Sequence, residues 1–154
     1  MLAVGLQGVV SLAGGFFGAF IAAHLALQHY FKQRVWDRRA EAYTAVFDAL
    51  ERMADVCRTN ANELMRGVDP SKEVEEARLQ SYRSAQDQLK TVLGRETWII
   101  SDKVRERLVK YQRRGRVSSA EGYSWTDYVL GEQDAIETVI DDLRMLARQD
   151  MHVR

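Results

Sequence analysis

The sequence predicts an all-α protein: an N-terminal transmembrane helix followed by an antiparallel bundle of three to four helices. Three observations carry that reading. Residues 1–31 contain no Asp, Glu, Lys or Arg, and Val4 to Leu27 is almost continuously apolar. Beyond them, apolar residues recur every three or four positions, the period of a helix with one buried face, not every second position as in a strand. A single proline and few strand-like runs leave little material for a sheet. The organisation expected is an anchor over 1–31, a helical bundle over 32–149 and a frayed tail over 150–154. No internal repeat or low-complexity segment interrupts it.

The first element is read as one span. A bilayer core of about 30 Å needs about 20 apolar residues, and this segment has that length with some left for tilt. Lys32, Arg34, Arg38 and Arg39 follow it at once while no charged side chain precedes it. The positive-inside bias then places the N-terminus outside and the bundle in the cytoplasm, in a single-pass protein of the inner (plasma) membrane. A cleavable signal peptide is the competing reading. The absent charged n-region, the length of the apolar run and the lack of a clear A-x-A site before Gln28 favour an uncleaved anchor. Tyr30, Phe31 and Trp36 suit an aromatic belt at the cytoplasmic interface.

Within the span, the helical advance gathers Ser11, Gly14, Gly15, Gly18, Ala22 and Ala26 on one side, with Gln7 and His29. This small-residue ridge permits close approach of two helix backbones in lipid, where packing and weak hydrogen bonds replace the missing hydrophobic drive. Association with a second copy or another membrane protein is therefore expected through it. His24 points away from the ridge. An ionisable side chain there is a functional flag, although snorkelling to the interface explains it equally well.

The next helix is expected from Lys32 to Arg66, stopping at Gly67, with Gly-Val-Asp-Pro-Ser as the turn. Trp36, Ala40, Tyr43, Phe47, Leu50, Ala54, Cys57, Ala61 and Leu64 alternate steps of four and three, the seam of left-handed, coiled-coil-like packing. No breaker separates this helix from the span, so the two are expected as one rod of roughly 90 Å. Cys57 lies on the seam, where a buried small hydrophobe is the expected role. A lone cysteine also agrees with a reducing compartment.

The second helix is expected to open with Asp69 as N-cap and Pro70 in the first turn, and to end near Gly94. Val74, Leu79, Tyr82, Ala85, Leu89, Val92 and Leu93 form its apolar face. Glu73, Glu75 and Glu76 suit the positive end of the helix dipole. Trp98, Ile99 and Ile100 are expected in a connection or a short helix. Ser101 and Asp102 then cap a third helix that ends before Gly115, with Val104, Leu108 and Tyr111 or Gln112 inward.

Arg113 to Ser124, with Gly115 and Gly122, reads as an exposed loop. Ser124-Trp125-Thr126-Asp127 resembles a capping box with Asp for the usual Glu, opening a last helix that runs to about Gln149. Its buried stripe is Trp125, Val129, Ile136, Val139, Ile140, Leu143 and Leu146. Tyr43, Tyr82 and Tyr111 read as bundle residues with polar tips.

Composition bounds the function only loosely. Lys and Arg together number 22, as do Asp and Glu, so the net charge implies no global acidic or basic partner. Lys103, Arg105, Arg107, Lys110, Arg113, Arg114 and Arg116 form a basic cluster that suits anionic lipid at about 1 kcal/mol per well-placed charge. Nucleic acid is disfavoured, because only Tyr111 interleaves the cluster and no groove-reading motif accompanies it. The acidic residues Glu121, Asp127, Glu132, Asp134, Glu137, Asp141 and Asp142 follow with no intervening Lys or Arg, and the two regions are able to offset each other.

No catalytic, cofactor-binding or metal-ligating residue is assigned. The three histidines lie in or beside the span and in the tail, and neither a P-loop, H-E-x-x-H, G-x-S-x-G, Cys-x-x-Cys nor paired Glu-x-x-His occurs. The leading expectation is a non-enzymatic membrane-anchored helical protein that self-assembles or docks a membrane partner. Two others are an oligomeric membrane effector or pore component lined by Gln7, Ser11 and His29, and a lipid or nucleic-acid binding module using the basic helix.

Trp36-Asp37-Arg38-Arg39 followed by Tyr43 and Leu50, and later Ser101-Asp-Lys-Val-Arg-Glu-Arg-Leu, resemble a loose class of uncharacterised bacterial single-pass membrane proteins. These share one N-terminal span, a W-x-[KR]-[KR]-x-x-x-Y helix, a later S-x-x-V-R-x-x-L helix and a closing amphipathic helix. The resemblance implies a membrane-anchored cytoplasmic helical bundle and carries over no activity, cofactor or catalytic residue.

Overall fold

The computed structural model describes residues 2–95, 98–114 and 125–151, with side chains from position 21 onward. Among the described residues it contains four helices, α1 (Leu2–Arg66), α2 (Lys72–Arg95), α3 (Asp102–Arg113) and α4 (Trp125–Asp150), and no strand. The chain is all-α, and its helices form a bundle. It divides into two compact units, Met1–Arg38 and Arg39–Arg154.

In the first unit the described side chains are exposed, including Ile21, Leu25, Leu27, Tyr30, Phe31, Val35 and Trp36. Its polar groups bond along the helix: Gln28 Nε2 lies 3.0 Å from His24 Nε2, and Arg34 donates to the Tyr30 hydroxyl at 3.3 Å. Among the described residues no helix is long and apolar enough to cross a membrane. The transmembrane helix expected from the sequence is thus not seen there, and side chains of residues 1–20 lie outside the described set. Ser11, Gly14, Gly15 and Gly18 of the ridge fall among those, whereas Ala22 and Ala26 are described and exposed.

In the second unit, cross-helix pairs set the directions. Arg78 bonds Glu63 and Asn60, while Gln88, further along α2, donates to the Ala45 carbonyl, so α2 runs against α1. Arg58 meets Glu137 and Arg144 meets Glu51, so α4 also runs against α1. Arg107 pairs with Asp142 and Tyr111 with Glu132, which makes α3 antiparallel to α4. The order is up, down, up, down, as short connections between neighbouring helices favour.

The α1 seam is buried at Tyr43, Leu50, Ala54, Cys57 and Ala61. Trp36 and Leu64, at its ends, are exposed. A second row, Ala42, Val46, Ala49 and Met53, is buried as well. The single seam therefore understates the face: a helix with neighbours on both flanks buries a stripe wider than a two-residue heptad pattern. In α2 only Ala85 and Leu89 are fully buried, and the expected inward residues Val74 and Leu79 are exposed. Val104, Leu108 and Tyr111, not Gln112, face inward from α3. In α4, Val129, Ile136, Val139, Ile140, Leu143 and Ala147 are buried, while Trp125 is exposed.

The helix ends follow local chemistry. Gly67 has φ +65°, and its N–H donates to Leu64 O while Val68 N–H donates to Glu63 O at 3.0 Å, the paired bonds of a Schellman stop. Ser101 Oγ accepts from Val104 N–H at 3.4 Å as the α3 cap. The expected opening of α2 is corrected. Its first backbone bond runs from Glu75 N–H to Ser71 O and the helix begins at Lys72, so Asp69 and Pro70 belong to the turn. The Ser71 side chain also bonds the Glu73 carboxyl, which helps hold that group below its ordinary value. At the far end Asp150 closes α4, with Met151 packed on the core; residues 152–154 lie outside the described set, as do the Arg116 and Ser124 positions.

Candidate functional site

All four helices contribute to one polar cluster set into the apolar core. Glu132 projects from α4 three residues after Val129 and four before Ile136, so it sits on the buried stripe itself. Arg114 is the residue that ends α3, with φ −56° and ψ 136°, and its side chain turns to Glu132. Tyr82 reaches in from α2. Cys57 completes the group from α1.

Three bonds within the cluster converge on the carboxylate. Glu132 Oε1 accepts from the Tyr82 hydroxyl at 2.5 Å and from the Tyr111 hydroxyl at 3.1 Å. Glu132 Oε2 accepts from Arg114 Nη2. The Arg114 guanidinium also lies 4.0 Å from the centre of the Tyr111 ring, a cation–π contact. Arg114 Nη1 is buried and has no hydrogen-bond partner among the described residues. An unmet buried donor costs about 1–3 kcal/mol, more when charged.

These contacts set the protonation states. Burial raises the Glu132 pKa, but the bonds from Arg114, Tyr82 and Tyr111 together outweigh it and hold the carboxyl below its ordinary value. Burial drives the Tyr82 hydroxyl far up, with Tyr111 and Glu132 adding to the effect. Tyr111 is raised by burial and by the Glu132 charge. The Cys57 thiol is pushed up to about 12 by burial, assisted by Glu132 and opposed by Arg114. Since the thiolate is the nucleophilic form, Cys57 is kept inert at neutral pH, as its place on the apolar seam suggests.

Two clefts flank the cluster. The first, of about 380 Å³, is lined by Met53, Gln86, Leu89, Lys90, Tyr111, Gln112, Arg113, Arg114 and Glu132. The second, of about 270 Å³, is more apolar and includes Cys57, Leu79, Tyr82, Trp125 and Tyr128. Trp125 and Tyr128 stack with ring centres 5.3 Å apart.

The basic cluster read from the sequence is divided by the fold. Arg105 pairs with Asp102 of its own helix, Arg107 with Asp142 and Arg114 with Glu132. Lys103, Lys110 and Arg113 are exposed, and Arg116 lies outside the described residues. The acidic run on α4 does offset part of the basic helix. Sequence reasoning did not single out Glu132 as a site, although a carboxylate on an apolar stripe was a signal that could have found it. Among the described residues no group of His, Cys, Asp and Glu is placed to hold a metal ion.

At the opposite end of α4, Tyr43 donates to the Asp150 carboxylate, and Arg39 donates to the carbonyls of Ile99 and Asp150 at 3.1 and 3.4 Å. This clasp ties α1 to the α3 entry and to the end of α4.

Compared with known proteins, the chain matches no family model, no curated protein and no solved structure, so its function is argued from these residues.

Proposed function

We propose that the chain is a non-enzymatic, membrane-anchored helical protein that self-assembles or docks a membrane partner. Residues 1–31 cross the inner (plasma) membrane once, the N-terminus lies outside, and the bundle lies in the cytoplasm. The observation that carries this reading is the run of uncovered apolar side chains over residues 21–31. Ile21, Leu25 and Phe31 are 50%, 59% and 57% exposed, in a stretch that the sequence leaves without a charged side chain until Lys32. In water such a surface, contiguous along a helix, is costly and calls for lipid or a second helix to cover it. The i to i+4 contact of His24 with Gln28 supports the same reading, since polar groups near hydrocarbon need an internal partner. The ridge from Ser11 through Ala26 supplies the surface for association, and the W-x-R-R-x-x-x-Y resemblance agrees with an anchored bundle.

The test is the mass of the full-length protein in nanodiscs, wild type beside Gly18→Leu, after alkaline carbonate extraction of membranes from producing cells. Retention in the membrane pellet and a defined homo-oligomer that dissociates in the variant are expected. Release into the supernatant overturns the anchor, and a monomer unaffected by the change overturns association through the ridge. Ion leakage from vesicles holding the oligomer would replace the docking role by the pore role.

A further inference from the structure

We propose that the 380 Å³ cleft beside Glu132 binds a phosphate monoester, with Arg114, Arg113 and Lys90 as its cationic walls and Met53 and Leu89 as its apolar floor. The inference is independent of membrane anchoring. The cleft lies within the second unit, and its volume falls in the range of small-molecule pockets.

Charge selects the ligand class. Among the described residues the one lining carboxylate is Glu132, and its oxygens already accept from Tyr82, Tyr111 and Arg114, so it offers little to a cation. Three cationic side chains line the same space, which suits a dianion. Lys90 is held at 3.0 Å by Asp87, but that pair is exposed and readily exchanged. Gln86 and Gln112 add amide donors.

Arg114 supplies the specific element. Its Nη2 edge is fixed on Glu132 and its face on Tyr111, which orients the planar fork, while buried Nη1 lacks an acceptor among the described residues. The side chain is 27% exposed and lines the cleft, which places its charge within reach of an anion there. A fork held in this way is the preferred partner for phosphate oxygens, and a lysine beside it acts as a point charge. The floor of Met53 and Leu89 accepts an apolar or ring-bearing body attached to the phosphate.

The test uses the full chain in neutral detergent, titrated calorimetrically with phenyl phosphate and, as a control without the anion, with benzyl alcohol. A parallel arm measures binding to phosphatidylcholine nanodiscs with and without phosphatidic acid, whose headgroup is also a phosphate monoester. One-to-one binding of phenyl phosphate is expected, weakened at least tenfold in the double variant Lys90→Gln/Arg113→Gln. Both positions are polar and outside the core, so the variant keeps the fold, which circular dichroism verifies. Arg114→Lys, which keeps the charge and loses the fork, is expected to weaken binding similarly. Binding of phosphatidic acid alone, with the same sensitivity to the variants, would identify the source as a lipid. No binding of either at millimolar concentration, equal binding of benzyl alcohol, or binding unchanged in the double variant overturns the proposal.

Discussion

Tyr82 on α2 donates its hydroxyl proton to Glu132 on α4 at 2.5 Å, a half-buried bond that joins two helices. The same carboxylate holds Tyr111 and Arg114, so one side chain ties three helices together. Removing it leaves the half-buried Arg114 guanidinium without its carboxylate. Glu132→Ala is expected to lower unfolding stability by about 2 kcal/mol, the scale of a lost hydrogen bond to a charged group. Tyr82→Phe, which removes one donor from a multiply satisfied acceptor, is expected to cost about 1 kcal/mol. Urea unfolding of the two variants checks the order.

Acid stability follows from the same carboxyl. Its folded pKa is depressed, so its contribution is complete above the unfolded carboxylate value of about 4.3 and is lost as pH falls through the folded value. The wild-type protein is expected to lose stability on acidification below that point, and Glu132→Gln to show a flatter acid limb from a lower starting stability. Unfolding free energies measured across the acid range decide it.

Alkaline behaviour has the opposite sign. Tyr82 and Tyr111 keep their protons in the fold after an unfolded tyrosine has lost its own near pH 10, so their contribution is full below about pH 10 and declines above it. Ultraviolet titration of tyrosinate is expected to show these two ionising only as the bundle unfolds. Cys57, pushed up to about 12, is expected to resist a thiol reagent at mildly alkaline pH and to react at once in denaturant.

Two glycines are expected to respond in opposite directions. Gly131 lies within α4, is exposed, and a methyl group there meets nothing within 4 Å, so Gly131→Ala should stabilise by about 0.5–1 kcal/mol. Gly67 is equally open but has φ +65°, a conformation that costs an L residue about 1 kcal/mol, so Gly67→Ala should destabilise. Thermal unfolding of both variants separates backbone strain from space.

The contrast between the two units can be measured with one chemical change made twice. Leu50 is fully buried, and Leu50→Ala is expected to cost about 3 kcal/mol of bundle stability. Leu25 is 59% exposed, and Leu25→Ala should leave bundle unfolding within about 0.5 kcal/mol of wild type. Denaturant titration of the two variants reads both values.

The all-helical class, the stop at Gly67, the Ser101 cap and most of the apolar stripes were legible in the sequence, because each depends on residues only a few positions apart. Periodicity, a glycine able to take positive φ and a capping hydroxyl act within one or two turns. The α2 start was misplaced by such local reasoning, since Asp69 and Ser71 are both acceptable caps and the turn geometry chooses between them. The breadth of the α1 face, the division of the basic helix into paired and exposed cations, and the meeting of Glu132 with Tyr82, Tyr111 and Arg114 were decided only by tertiary structure. These depend on which helices become neighbours. A charge 18 or 50 positions away in the chain becomes a partner only when packing brings two helices side by side, and that choice is set by the summed burial of whole faces.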